Sequence, residues 1–404
     1  MEGEVLERWE KKVCMGYGRQ VSDRQMSRVP PSAAIVDHIM DSQAGYCFAD
    51  DKRTWTAPSP GILMKLVCEQ PELRARFFNE KGEWRLLAAS QWLEEYSVFL
   101  LILMVCMELG SGAPAQGTEL MMAWCRNTRT RLRNLAKFDA HTMLTRTYHK
   151  GGSIQGVDKY IPHSLDVLTS DLVQLDLFIA RPIARAMAKM VYGKEAAVNV
   201  SYLMNMFVQP GGMVYTTDDL STQLQLVSMP IVKFPMKVNP LRHIMAGFIH
   251  KKCPAVQEVL ATMEADTIDA RQFGHTRMVE EQHYVVSHKS NEMVAEEVLP
   301  AFLDCSTNFQ VCLRIVPGGV ELPYSEVRQS QFDELAAAGK FKVLSKKRQQ
   351  MLEPAGSERM PALDSVFLPR CLYTDGQQME AGRAVRDAER FGHRTSTQAK
   401  DADR

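Results

Sequence analysis

His141 to Leu165 reads HTMLTRTYHKGGSIQGVDKYIPHSL. The first half, HTMLTRTYH, gathers β-branched and aromatic residues, the strongest strand signal in the chain. A glycine turn, KGGSIQG, follows, and KYIPHSL then reads as a second extended piece. Two short extended segments around a glycine-bearing turn predict an antiparallel β-hairpin. The flanking sequence is dominated by helical periodicity, so the hairpin sets the fold class: mainly α (α+β), with one small antiparallel sheet.

Upstream of the hairpin, Glu119 to Asn134 carries MMAW and then Arg126, Arg129, Arg131 and Arg133, and is expected to be helical. Before it the loop GSGAPAQG ends a helix over Leu87 to Leu109. That helix is almost wholly apolar in its second half, which places it at the centre of a domain. The first 90 residues read as helices broken by turns: VPPSAAIVDHIM, a loop through GYCFADDKRTWTAPSPG, then GILMKLVCEQPELRARFF. Downstream, Leu165 to Met190 reads as a long helix on which Arg181, Arg185 and Lys189 recur at every fourth position. MPIVKFPMKVNP is expected to be extended or loop, with Pro240 just ahead of a helix beginning at Leu241. EEVLPAFLDC and FDELAAAGKFKVLSKKRQQML each suit a further helix. The expected organisation is a helical N-terminal domain over 1–90, a second domain over 91–300, a helical extension over 301–352 and a disordered tail over 353–404, where mixed charge lacks apolar periodicity.

Composition excludes several classes of function. Forty-eight Lys plus Arg balance 48 Asp plus Glu, so the chain is neither a polybasic nucleic-acid coat nor an acidic disordered chaperone. The uncharged apolar run from Tyr96 to Met107 covers 12 residues, apart from the sequence's own polar interruptions, and is too short to span a bilayer. With no signal-type N-terminus, a soluble intracellular protein without membrane contact is expected. The nine cysteines are scattered and never form Cys-x-x-Cys, which suits reduced core thiols. His243, His250 and Cys253 are ligand types at helical spacing, but a fourth ligand at zinc-site spacing is missing. Phosphate-loop, His-Glu-x-x-His and Gly-x-Ser-x-Gly motifs are absent from the sequence. No cofactor and no nucleotide are therefore expected.

Four short pieces stand out in order: PAQGTEL (114–120), YHKGGSIQG (148–156), NPLRHIMAGF (239–248) and FGHTRMVEEQHY (273–284). Together they resemble the catalytic domain of tyrosine recombinases, the phage-integrase-like DNA breaking-rejoining enzymes. That family places an Arg three residues before a Glu, a Lys in a hairpin turn, a His-x-x-Arg-His box at the start of a helix, and a Gly-His pair nine residues ahead of the nucleophilic Tyr. Here His275 precedes Tyr284 by nine residues. GYCFADD, ELRARFF, GTELMMAWCRNT, MLTRTYHKGG and LRHIMAGFIHKKCP further resemble a fungal branch, the Crypton-like region associated with subtelomeric RecQ-type helicases. Helicase motifs are missing, so that activity is not implied.

The resemblance implies that Tyr284 is the nucleophile, His275 the histidine ahead of it, Arg242 the second arginine and Lys150 the hairpin lysine. His243 matches the residue following that arginine. Such chemistry needs planar guanidinium forks on the scissile phosphate. It also needs a lysine beside the leaving 5′ oxygen, histidines to assist proton movement, and a tyrosine whose phosphodiester conserves bond energy without ATP. Two positions depart from the pattern. Gln116 stands where the first arginine is expected, and Asn239 where the first histidine of the box is expected. Losing a phosphate clamp costs about 3 to 4 kcal/mol, and losing an acid/base group adds a factor of about 10². Strand cleavage is therefore expected to be weakened while DNA affinity, made of many phosphate contacts, survives.

From Leu120 to Lys150 seven basic residues face one acid, Asp139. Arg126, Arg129, Arg131, Arg133, Arg146, Arg181, Arg185 and His243 are the expected contacts to double-stranded DNA, in the nucleus, with a homo-oligomer assembling on the duplex. Two other readings stay open: an active recombinase or integrase of a mobile element using Tyr284, and a helical interaction module, or helicase-less fragment of a fungal RecQ-type helicase, without catalysis of its own.

Overall fold

A computed structural model of the chain describes residues 1–22, 29–39, 41–51, 61–112, 120–148, 159–193, 196–253, 299–320, 322 and 332–337. The described chain is mainly helical, with one three-stranded antiparallel sheet. The helices are α1 (Glu2–Glu7, continuing as a π-helical turn over Arg8–Val13), α2 (Gly18–Ser22), α3 (Ile62–Glu69), α4 (Pro71–Phe77) and α5 (Leu86–Gly110). After the strands β1 (Leu135–Phe138), β2 (His141–Tyr148) and β3 (Lys159–Ser164) come α6 (Val167–Leu175) and α7 (Arg181–Val191), joined by a π-helical segment over Asp176–Ala180. Then follow α8 (Ala196–Met204), α9 (Thr217–Val232), α10 (Val238–Lys252), α11 (Leu299–Cys312) and α12 (Phe332–Ala337).

The central element is α5. It carries apolar residues on every side from Phe99 to Met107, and all but Leu101 are buried. Around it pack the N-terminal turns, α6, α7 and α9. Trp9 meets Phe99 at 5.6 Å between ring centroids, Trp92 stacks on Tyr96 at 5.3 Å, and the Trp92 indole N–H donates to the Val13 carbonyl at 3.1 Å. One contiguous apolar core includes both Val5 and Leu335, so side chains on either side of residue 90 share it. The boundary expected at 90 falls inside α5.

The hairpin forms as expected, with Met143 opposite Ser164 and Tyr148 opposite Lys159. A third strand, β1, extends it on the other edge, pairing Leu135 with Leu144 and Phe138 with His141. The connecting turn, Asp139-Ala140, holds Asp139 at φ 50°, a left-handed conformation that Asp tolerates better than most residues. Alternation divides the sheet: Leu135 and Leu144 join the main core, while Ala136 and Met143 pack with Leu299 and Leu303 of α11 in a small second cluster. The sheet thus lies between α11 and the main core. Gln310 of α11 locks the layers by donating to the Gly110 and Ser164 carbonyls, both at 2.8 Å, and accepting from the Gly318 amide at 2.9 Å. That approach requires a glycine at 318, where a Cβ would lie 2.2 Å from the Leu165 carbonyl oxygen.

Three sequence expectations give way. In the described part of Glu119 to Asn134, helix is present only at Leu120 and Met121, and the chain from Ala123 onward is a pinned loop. Asn127 and Asn134 use their side-chain amides to bond backbone groups, which offers the chain an alternative to helix. In VPPSAAIVDHIM only Ser32–Ala34 winds, as a single 3₁₀ turn after two prolines. The first part of MPIVKFPMKVNP is not loop: α9 runs through Pro230 to Val232 and stops at Lys233, φ 56°. α10 opens at Val238, so Pro240 sits inside its first turn, where a missing N–H costs nothing. The tail over 353–404 and most of 301–352 beyond α11 and α12 lie outside the described residues.

Candidate functional site

Among the expected catalytic residues, Gln116, Lys150, His275 and Tyr284 lie outside the described residues. Asn239, Arg242 and His243 stand in the first two turns of α10: Asn239 and His243 are exposed and Arg242 is half-buried. Asn239 and Arg242 are three residues apart and so share a helix face. Among the described residues no group of three or more His, Cys, Asp or Glu could hold a metal ion. None of the described helices is long and apolar enough to cross a membrane.

The arginines separate into two populations. Arg133, Arg146 and Arg181 are buried, at 1%, 3% and 4% exposure. Arg133 is paired with Asp37, donates to Asn127 Oδ1 at 3.2 Å and to the His38 carbonyl at 3.1 Å, and lies 4.6 Å over the Tyr46 ring. Burial raises the Asp37 pKa above the ordinary carboxylate value, against the pull of Arg133. Arg146 donates to Ser111 Oγ at 2.7 Å and lies 3.8 Å from the Glu108 carboxylate, both on or beside the end of α5. Next to it His163 is fully buried, and burial first, then the Arg146 charge, hold its pKa well below the ordinary imidazole value. Lys137 is also buried, its ammonium donating to Ser32 Oγ and to the Ala140 carbonyl at 3.1 Å.

Arg181 makes a dense set of hydrogen bonds. Its Nε and Nη2 donate to Asp176 Oδ2 at 3.0 and 2.8 Å, its Nη1 to the Asn205 carbonyl at 2.6 Å, and its Nη2 also to the Met206 carbonyl at 2.7 Å. The Tyr96 hydroxyl donates to the other Asp176 oxygen at 2.7 Å. Residues five apart lie about 140° apart around a regular α-helix. The wider π turn over Asp176–Ala180 closes much of that angle and lets the pair meet. Burial works against the Arg181 charge, Asp176 more than restores it, and the pKa ends above the ordinary guanidinium value. These four basic groups hold the interior together, which corrects the expectation that Arg133, Arg146 and Arg181 face DNA. It also reduces the charge excess counted from Leu120 to Lys150.

The second population is at the surface, on the loop that replaces the expected helix. Backbone bonds from Cys125 N to the Met204 carbonyl and from Met206 N to the Ala123 carbonyl, both 2.8 Å, fix the loop's start beside α8. Asn127 exchanges backbone bonds with Gly45 and Tyr46 at 2.8 and 3.0 Å, and Asn134 Oδ1 accepts from the Trp124 amide at 2.8 Å. Between these pins Thr128 closes a tight turn: its Oγ1 accepts from the Arg131 amide at 2.9 Å, and its own amide donates to the Arg131 carbonyl at 2.8 Å. Arg129 and Arg131 are exposed at this turn, with the Arg131 guanidinium 5.7 Å from the Trp124 ring centroid.

Arg126 stands at the loop's near end, paired with Asp50 and donating to the Gly45 carbonyl at 3.1 Å. Arg185, exposed on α7, lies in the field of both: burial of its stem, then the Arg126 charge, lower its pKa from the ordinary value, while Asp50 acts the other way. Lys189 is exposed one turn further along α7. The sequence signal for the loop was the arginine spacing. What it lacked was the distant partners, Gly45, Tyr46 and Met204, that turn the segment outward. Comparisons with protein-family models, with curated proteins and with solved structures give no match to this chain.

Proposed function

We propose that the protein binds double-stranded DNA in the manner of a tyrosine recombinase whose strand cleavage is weakened. The observation that carries this reading is the rigid basic loop: Arg129 and Arg131 stand exposed on a turn fixed at both ends, beside an aromatic ring, with Arg185 next to Arg126 on the adjoining helix. Guanidinium forks carried on a pinned backbone suit phosphate oxygens, because little backbone freedom remains to be lost on binding. In this reading Tyr284 attacks the scissile phosphate, Arg242, Lys150, His275 and His243 hold it and move its protons, and Gln116 and Asn239 leave the transition state short of one charge and one acid/base group. Nuclear residence and assembly of copies on the duplex belong to the same proposal.

Salt dependence tests it. Three phosphate contacts from Arg129, Arg131 and Arg185 give a slope of log affinity against log salt of about −2.7, so affinity for a labelled duplex falls about 40-fold between 50 and 200 mM salt. With Arg129 and Arg131 both changed to Ala, the slope falls to about −0.9 and the loss to roughly fourfold. Fluorescence anisotropy measures both. A duplex affinity that ignores salt, or a double variant with the wild-type slope, removes this loop from the interface.

A further inference from the structure

α10 ends at Lys252, and Cys253 caps it, its amide donating to the Ile249 carbonyl at 3.1 Å. Cys312 is the last residue of α11. The two helices meet at this end: Phe248 and Phe309 pack edge to face, 6.3 Å between centroids at 89°, and the neighbouring Cys253 side chain lowers the Cys312 pKa by hydrogen bonding. Both cysteines are in the thiol form. Cys253 is fully buried, whereas Cys312 is half-buried, the more accessible residue of the two.

We propose that Cys312 and Cys253 are a redox-modification site, forming a reversible disulfide with a small-molecule disulfide such as oxidised glutathione as the oxidant. The Cys312 thiolate attacks one sulfur of glutathione disulfide. An S–S bond to Cys312 forms, the glutathione S–S bond breaks, and one glutathione leaves as thiolate, taking up the Cys312 proton. The Cys253 sulfur then attacks the Cys312 sulfur of this mixed disulfide. The protein S–S bond forms, the second glutathione leaves, and the Cys253 proton goes to it. Two protein thiols are oxidised and one glutathione disulfide is reduced to two thiols. Accessibility and the hydrogen bond that lowers the Cys312 pKa assign it the attacking role, and full burial makes Cys253 the resolving thiol. Other buried thiols differ: Cys47 lies in the field of Cys125, but both are enclosed, and burial raises their pKa values.

The test uses the full chain equilibrated in glutathione buffers of increasing oxidised fraction, quenched by alkylation and mapped by mass spectrometry without reduction. The expected result is protection of two of the nine thiols and a Cys253–Cys312 crosslinked peptide pair that disappears on reduction. Cys312→Ser abolishes the crosslink, and Cys253→Ser leaves glutathione on Cys312. Unchanged thiol counts, glutathione retained on wild-type Cys312 without a crosslink, or a crosslink through any other pair overturns the proposal. Because the wild-type map suffices, a variant that fails to fold does not weaken the test.

Discussion

Arg181→Ala separates an internal cation from a DNA contact. The substitution leaves the Asp176 carboxylate fully buried, with the Tyr96 hydroxyl as its remaining donor from the group described, and takes a donor from the Asn205 and Met206 carbonyls. Removing one partner of a buried ion pair costs about 3 to 5 kcal/mol, most of it the desolvation of the charge left behind. At a slope of about 2 to 3 kcal/mol per molar, the urea midpoint should fall by about 1 to 2.5 M. The companion variant Arg181→Met with Asp176→Leu removes both charges and should recover a large part of that loss, because no carboxylate is stranded. Equilibrium urea unfolding followed by circular dichroism measures both. If Arg181→Ala costs less than about 1 kcal/mol, or the double variant is no better than the single, the enclosed pair does not hold α7 to the Asn205–Met206 backbone in the way described.

Three further outcomes follow from particular residues. His163 is held neutral in the folded chain, so below its ordinary pKa of 6.5 the unfolded chain binds the extra proton and stability falls as pH falls. Relative to wild type, His163→Gln should lose less stability on acidification, by up to about 1.4 kcal/mol per pH unit below that value. Asp166, raised by burial to about 6, acts in the opposite sense between its ordinary value and about 6 and is common to both chains, so it cancels in the comparison; parallel stability profiles would refute the assignment. Gln116→Arg with Asn239→His should raise trapping of a covalent adduct on a nicked suicide duplex by at least about 10²-fold, and Tyr284→Phe should abolish it; an adduct that survives in Tyr284→Phe assigns the chemistry elsewhere. Thr216 accepts from the Asp219 amide while Asp219 accepts from the Thr216 amide at 2.7 Å, so Thr216→Ala should cost about 1 kcal/mol in thermal unfolding, and no change would show that this box does not stabilise α9.

Much of the fold was legible where one local signal dominated. The second half of α5 is apolar on all sides, and only a central position satisfies such a segment. The hairpin carries β-branched residues around glycines and forms in the register that buries Leu144. β1 was missed because Leu135–Phe138 is four residues long and turns Lys137 inward, a residue that ordinarily argues for solvent. The loop after Met121 was missed for the opposite reason: Leu120, Met121, Ala123 and the arginines all favour helix, and only the side-chain bonding of Asn127 and Asn134 diverts the chain. For the candidate site, the exposed positions of Arg129, Arg131 and Arg185 agree with the reading of the residues. Arg133 does not, because the acid that claims it, Asp37, is 96 residues away, beyond the reach of any spacing rule.

That redistribution of charge bears on how tightly one copy could hold DNA. Counting along the sequence suggested a strongly basic face between Leu120 and Lys150. Burial removes Arg133, Lys137 and Arg146 from it, and Asp50 offsets Arg126. On the proposed reading, about three phosphate contacts from the described surface would make one copy a nonspecific binder, whose affinity is weak at physiological salt. The proposed reading therefore leans on assembly: two copies on one duplex double the salt slope and turn the second contact into an intramolecular event, which raises avidity without any new contact. In that reading the balance of 48 against 48 is no argument against DNA, since the proposed interface rests on the placement of three exposed guanidinium groups, those of Arg129, Arg131 and Arg185.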